Sequence, residues 1–61
     1  EEMATWLYQN RDQYPTLDQV IVEYHTGHLH IGTGPNTASS TARGQFLYTL
    51  DGVSYFDWEP T

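Results

Sequence analysis

The sequence of 61 residues contains no cysteine, and its only arginine or lysine residues are Arg11 and Arg43. The lack of cysteine excludes a disulfide framework and zinc fingers of the cysteine type. Eight acidic residues leave a formal net charge of -6, which argues against a phosphate-binding surface and therefore against nucleic acid as a partner. No apolar run approaches the roughly 20 residues of a membrane span, and no signal peptide is present, so we expect no membrane association.

Aromatic residues, in contrast, are abundant. The chain holds five tyrosines, two tryptophans and two phenylalanines, although its length permits at most one small domain. This is more apolar surface than one helix and two hairpins readily cover. Together with the opening Glu1-Glu2-Met3, it leads us to expect a piece of a larger domain whose missing segment or partner chain covers the remainder.

The pattern of apolar residues predicts an α+β fold, with one N-terminal helix packed on a small antiparallel sheet of two hairpins. Helical spacing covers 2–13, and Pro15 ends the helix. The first hairpin is predicted over 18–33. A small, polar loop follows over 34–44, and the second hairpin covers 45–58.

A two-residue turn at Thr26-Gly27 would place Glu23 opposite His30 in the first hairpin. Because side chains alternate between the faces of a strand, one face then carries an apolar set: Val20, Val22, Tyr24, Leu29 and Ile31. The other face carries the polar set Glu23, His25, His28 and His30. Such a separation is what a metal site or an acid/base site on a sheet would need.

In the second hairpin, Asp51-Gly52 is a strong signal for a two-residue turn. That turn predicts one face with Phe46, Tyr48, Leu50, Val53 and Tyr55. It predicts another face with Leu47, Thr49, Phe56 and Trp58.

Histidines two residues apart on one strand point the same way, so His28 and His30 can address one point in space. Neutral imidazole is a common zinc ligand, and Glu23 could act there as ligand, as partner of a ligand, or as general base. Two alternatives remain open: an ordinary solvent-exposed polar face, and a local metal clip of His25, His28 and His30. No serine stands in a nucleophile context, and no phosphate-binding loop is present.

The segments DQVIVE (18–23) and HLHIG (28–32) resemble the C-terminal strands of the zinc D-Ala-D-Ala carboxypeptidase and endolysin family. In that family an Asp-Gln strand ending in Glu precedes the strand that carries the last zinc histidine. The segment RGQFL (43–47) resembles an R-x-Q-x-L stretch seen downstream, and the preceding helix matches the family order. The resemblance covers about residues 3–50.

The resemblance implies His30 as the zinc ligand, His28 as a residue lining the active site, and Glu23 as the acidic residue near the metal. It implies hydrolysis of a peptidoglycan stem-peptide amide, in an extracellular or phage-associated cell-wall compartment. The family takes its other zinc ligands, a His and an Asp, from an upstream motif, and no histidine precedes His25 here. We therefore expect a C-terminal fragment of such a peptidase that is inactive alone.

A second hypothesis comes from a different class. The charge of -6, the small size and the many aromatics are also compatible with a small acidic binding or inhibitor protein of phage type that acts on a basic partner surface.

Overall fold

The computed structural model describes residues 1–34 and 42–60, and over these residues the fold is α+β, as expected from the sequence. Its elements in chain order are helix α1 (Glu2–Gln9), a 3-10 helix (Arg11–Gln13) and strands β1 (Leu17–Glu23), β2 (His28–Thr33), β3 (Gln45–Thr49) and β4 (Phe56–Asp57). In this part of the chain no helix is long and apolar enough to cross a membrane.

Helix α1 ends at Gln9, earlier than the helix predicted over 2–13. Asn10 follows and caps the helix with φ -111° and ψ 16°. In addition to the ordinary helical bond from its backbone N–H, the side-chain Nδ2 of Asn10 donates to the carbonyl oxygen of Trp6, at 2.8 Å. Asparagine competes with the helix for backbone groups in this way. The chain then continues as a single 3-10 turn up to Tyr14, directly before Pro15.

The four strands form one mixed sheet in the order β2-β1-β3-β4. Strands β1 and β2 are antiparallel, as are β3 and β4, but the central pair β1–β3 is parallel. The expectation of a purely antiparallel sheet was therefore wrong. Because β1 lies between β2 and β3 in the sheet, these two strands do not form a hairpin.

The turn between β1 and β2 contains four residues, Tyr24 to Gly27, and not the two that the sequence suggested. The carbonyl oxygen of Glu23 accepts hydrogen bonds from the N–H groups of Gly27 (2.9 Å) and Thr26 (3.4 Å), which closes a wider turn. Gly27 has φ 74°, a conformation that favours glycine. The pairing moves by two residues, so the predicted side chains within β1 and β2 keep their faces but have different partners, whereas Tyr24 and His25 now lie in the turn.

The connection between β3 and β4 spans residues 50–55, so the predicted two-residue turn at Asp51-Gly52 was wrong. Side chains build this turn. Asp51 Oδ1 accepts from the N–H groups of Val53 (2.9 Å) and Ser54 (3.0 Å), and Thr49 Oγ1 accepts from the N–H of Gly52 (2.8 Å).

The longer connection shifts the pairing by one residue and thereby exchanges the faces of β4. Tyr48 pairs with Phe56, and Leu47 pairs with Asp57. Phe56 therefore shares a face with Tyr48, and not with Leu47 and Thr49 as predicted. Rings confirm the new register, since Tyr48 and Phe56 lie 5.4 Å apart between centroids.

The hydrophobic core lies between α1 and one face of the sheet. Its buried members are Ala4, Leu7, Leu17, Val20, Val22, Phe46 and Trp58. Tyr8 of α1 contacts Phe46 edge-on at 5.1 Å, and Phe46 in turn stacks on Trp58 at 6.2 Å. Helix α1, strand β3 and Trp58, the residue after β4, thus meet in one aromatic cluster, and the opposite face of the sheet is left uncovered by the helix.

Most of the loop predicted over 34–44 lies outside the described residues. Its two ends are both attached to the start of β1. The N–H of Gly34 donates to the carbonyl of Thr16 (2.8 Å), and the N–H of Gly44 donates to the carbonyl of Leu17 (3.1 Å).

Candidate functional site

The face of the sheet opposite α1 carries the polar residues singled out from the sequence, and we call it the histidine face. By strand register it is formed by Gln19, Ile21, Glu23, His28, His30, Gln45, Leu47 and Thr49. Glu23, His28 and His30 share this face as predicted. Ile21, which the sequence argument did not place there, lies among them and is buried.

Glu23 lies directly opposite His28, and not opposite His30. Directly paired residues of antiparallel strands have Cβ atoms about 4.5–5.5 Å apart, whereas diagonal neighbours are roughly 7–8 Å apart. The carboxylate of Glu23 also accepts a hydrogen bond from the hydroxyl of Thr26, at 3.4 Å. The wider turn thus changes the closest acid–imidazole pair of the site from Glu23–His30 to Glu23–His28.

His30 lies opposite Ile21 and is exposed. Its Nε2 atom is 3.7 Å from the position that a Cβ on Gly32 would occupy. The imidazole therefore extends along β2 over Gly32, away from His28. Since Gly32 has no side chain, this space is available, and the ring edge is accessible to a ligand from outside.

His25 does not join the other two histidines. Its ring lies against Gly52 in the β3–β4 connection, where a Cβ on Gly52 would come within 2.8 Å of His25 Nε2. Within residues 1–34 and 42–60, no group of three or more His, Asp or Glu side chains is arranged to hold a metal ion. The local clip of His25, His28 and His30 is therefore not formed.

Two motif segments that are distant in sequence contact each other beside this face. Asp18 forms a bidentate ion pair with Arg43. The Oδ1 atom lies 3.1 Å from Nε of Arg43, and Oδ2 lies 2.8 Å from Nη2. Directly beside this ion pair, the side chain of Gln19 donates from Nε2 to Oε1 of Gln45 at 3.3 Å. The sequence pattern named these residues only as parts of short motifs, because the contact depends on the parallel pairing of β1 with β3.

The ion pair has a clear electrostatic effect. Hydrogen bonds from the side chain and backbone of Arg43 lower the pKa of Asp18 from 3.8 to about 2. The same pair raises the pKa of Arg43. Asp18 thus remains charged at all ordinary pH values and holds residue 43 to the start of β1.

The resemblance implies a zinc ion on the histidine face, and the ligands that zinc requires can be compared with the side chains present there. A catalytic zinc site takes three protein ligands and an open position. On the described part of the histidine face, His28 and His30 each offer an exposed imidazole, and Glu23 offers a carboxylate that accepts from a turn hydroxyl. Within the described residues these side chains do not complete a zinc site.

Comparison with known proteins gives no further assignment. No protein-family model matches the chain, and neither a curated protein nor a solved structure matches it.

Proposed function

We propose that this chain is the C-terminal part of a zinc-dependent peptidase that hydrolyses amide bonds of the peptidoglycan stem peptide. Its strongest support is the histidine face, because the strand register puts Glu23, His28 and His30 on the same side of the sheet, the side that α1 does not cover. The chain alone is inactive in this proposal, because the His and Asp ligands of the upstream motif are absent from the sequence.

The contact between the two motif segments also supports the proposal. The Asp-Gln segment of β1 and the R-x-Q segment before and within β3 were the parts of the sequence that carried the resemblance. They are joined by the Asp18–Arg43 pair and the Gln19–Gln45 hydrogen bond. The two segments therefore lie side by side next to the histidine face.

In this proposal each residue of the histidine face has a distinct role. His30 binds the metal with its exposed imidazole. Glu23 moves a proton between water and the leaving amine, and the hydroxyl of Thr26 holds its carboxylate in position. His28, directly opposite Glu23, hydrogen-bonds substrate or the carboxylate. When bound, zinc would lower the pKa of water and polarise the scissile carbonyl.

The test is complementation. The chain is fused behind the ligand-bearing N-terminal half of a family peptidase, and cleavage of a muramyl peptide is measured with and without zinc. We expect the chain alone to bind zinc weakly and the fusion to bind it tightly and to cleave. His30→Ala should abolish both, and Glu23→Gln should lower the rate by about 100-fold or more while zinc remains bound.

His25→Ala is the matched control, since His25 contacts Gly52 and lies off the site. It should leave zinc binding and cleavage unchanged. If no folded fusion cleaves any muramyl peptide, or if His30→Ala retains tight zinc binding, the proposal is wrong.

One observation favours the alternative function, that of an acidic binding or inhibitor protein. Large apolar side chains of the β3–β4 connection and β4 are exposed, namely Leu50, Val53, Tyr55 and Phe56. That alternative predicts a stoichiometric complex with a basic protein that His30→Ala leaves intact.

A further inference from the structure

A cleft of about 310 Å³ opens between the start of α1 and the far end of the β1–β2 hairpin. Apolar walls come from Met3 of α1, Val22 of β1 and Leu29 of β2, and Glu1 and Tyr24 also line it. We call it the N-terminal cleft. Val22 and Leu29 face the core side of the sheet, so the cleft is separate from the histidine face even though the hairpin residues Glu23 and His28 border both.

A carboxylate and a phenol border this cleft together, those of Glu1 and Tyr24. Burial raises the pKa of Tyr24, and so does the neighbouring carboxylate of Glu1. Glu1 makes no side-chain hydrogen bond to cap α1, so its carboxylate is not engaged by the start of the helix.

The charges around the cleft favour a cationic ligand. Both arginines are engaged elsewhere: Arg11 lies 4.2 Å from the centroid of the Tyr8 ring, and Arg43 pairs with Asp18. The chain as a whole carries a net charge of -6. A cation that enters here meets the carboxylates of Glu1 and Glu23 and the phenol oxygen of Tyr24, while its apolar stem replaces water on Met3, Val22 and Leu29.

We propose that the N-terminal cleft binds a primary alkylammonium group on an apolar stem, as presented by a lysine side chain of a peptide. The volume accommodates one long side chain, and the combination of apolar walls with the carboxylates of Glu1 and Glu23 at the border matches a lysine along its whole length. This inference goes beyond the proposed function, because it requires neither a metal nor hydrolysis.

The experiment compares two probes of equal shape by NMR titration of the ¹⁵N-labelled chain at pH 8, above the usual titration range of histidine. One probe is Nα-acetyl-lysine N-methylamide, and the other is the uncharged norleucine analogue. We expect the lysine probe to shift the amide signals of Tyr24, Gly27 and Leu29 and to bind about threefold or more tightly than the norleucine probe, a preference of the size expected for a partly exposed ion pair.

Glu1→Gln should remove the preference and leave norleucine binding unchanged. Glu2→Gln is the matched control, because it changes the net charge equally but does not line the cleft. It should retain the preference. Equal binding of both probes by the wild-type chain, or an equal loss in the two variants, would overturn the proposal. Since no zinc or substrate is present, the result is separate from the outcome of the complementation test.

Discussion

Asp18 joins two parts of the chain that are 25 residues apart. Its carboxylate receives the side chain of Arg43 and also the backbone N–H of Arg43, at 2.9 Å. Charge-assisted, bidentate hydrogen bonds of this kind are stronger than hydrogen bonds between neutral groups, and they are directional. The carboxylate therefore fixes the chain just before β3 against the start of β1, next to Gln19 and Gln45 on the histidine face.

The lowered pKa of Asp18 predicts a loss of stability in acid. Its folded pKa, about 2, lies below the ordinary value of 3.8, so the contribution is fully present above pH 4 and is lost as the pH falls toward 2. We expect Asp18→Asn to be less stable than wild type at pH 7, and the difference to shrink between pH 4 and pH 2. Thermal unfolding followed by circular dichroism measures both.

Asp12→Asn is the control for net charge, since Asp12 is exposed in the 3-10 helix. It should not reproduce the loss at pH 7. Part of the acid sensitivity will persist in Asp18→Asn, because backbone hydrogen bonds from Ser54 and Val53 also lower the pKa of Asp51. A constant difference between Asp18→Asn and wild type from pH 7 to pH 2 would contradict the prediction.

For individual residues, the sequence predicted the face of the sheet on which a side chain lies. It did not predict which residue of the neighbouring strand is paired with it. The alternation of Glu23, His28 and His30 depends only on strand parity, which a two-residue shift of the turn preserves. The partner of Glu23 depends on the length of the turn, which the hydrogen bonds to the carbonyl of Glu23 decide. The direction of the His30 ring depends on the absent side chain of Gly32, a feature that no local pattern reveals.

The two turns differ in how closely they are packed, although both contain a glycine with positive φ. Gly27 has φ 74° and no atom within 4 Å of a Cβ position, whereas Gly52 has φ 79° and the His25 ring at 2.8 Å. Both alanine variants lose about 1–2 kcal/mol through backbone strain alone. Gly52→Ala must in addition displace His25, and we expect an extra loss of up to about 1 kcal/mol.

Urea unfolding of the two alanine variants measures the difference, and His25→Ala provides the control. In the His25→Ala background, Gly52→Ala should cost the same as Gly27→Ala, because only the strain remains. If the extra loss persists without the imidazole, the steric explanation is wrong and the Asp51 turn itself is being disturbed.

The alternation of apolar and polar residues predicted where the strands lie. It did not predict on which face of the sheet the side chains of β4 lie. The Asp51-Gly52 pair is a strong local signal for a tight turn. Here the side chains of Thr49 and Asp51 capture the N–H groups of the next residues and build a longer connection. A shift of one residue then moves Phe56 and Trp58 to the face of α1, where Trp58 enters the core.

For the whole molecule, the parallel pairing of β1 with β3 is the feature that local patterns could not predict. It depends on contacts between residues that are far apart in the sequence, such as Asp18–Arg43. The result is a sheet with its helix on one face and with His28 and His30 on the other. Ile21 and Thr49 are buried on the histidine face, so the chain itself already covers part of that face.

The charge of the whole molecule predicts how its stability responds to salt. The net charge is -6, and Arg43–Asp18 is the single ion pair within the described residues, so repulsion among carboxylates outweighs attraction at pH 7. Raising NaCl from 0.01 to 1 M shortens the screening length from about 30 to about 3 Å. We expect a gain of about 1 kcal/mol, equal to a rise of roughly 4–8 °C in the unfolding midpoint.

The matched control is the same salt series near pH 4.5, the isoelectric point of the sequence. There the net charge is close to zero, Asp18 is still ionised, and salt mainly weakens its attraction to Arg43. The midpoint should then stay constant or fall slightly. A midpoint that falls with salt at pH 7 would mean that local pairs such as Asp18–Arg43, and not the net charge, dominate the electrostatic free energy of folding.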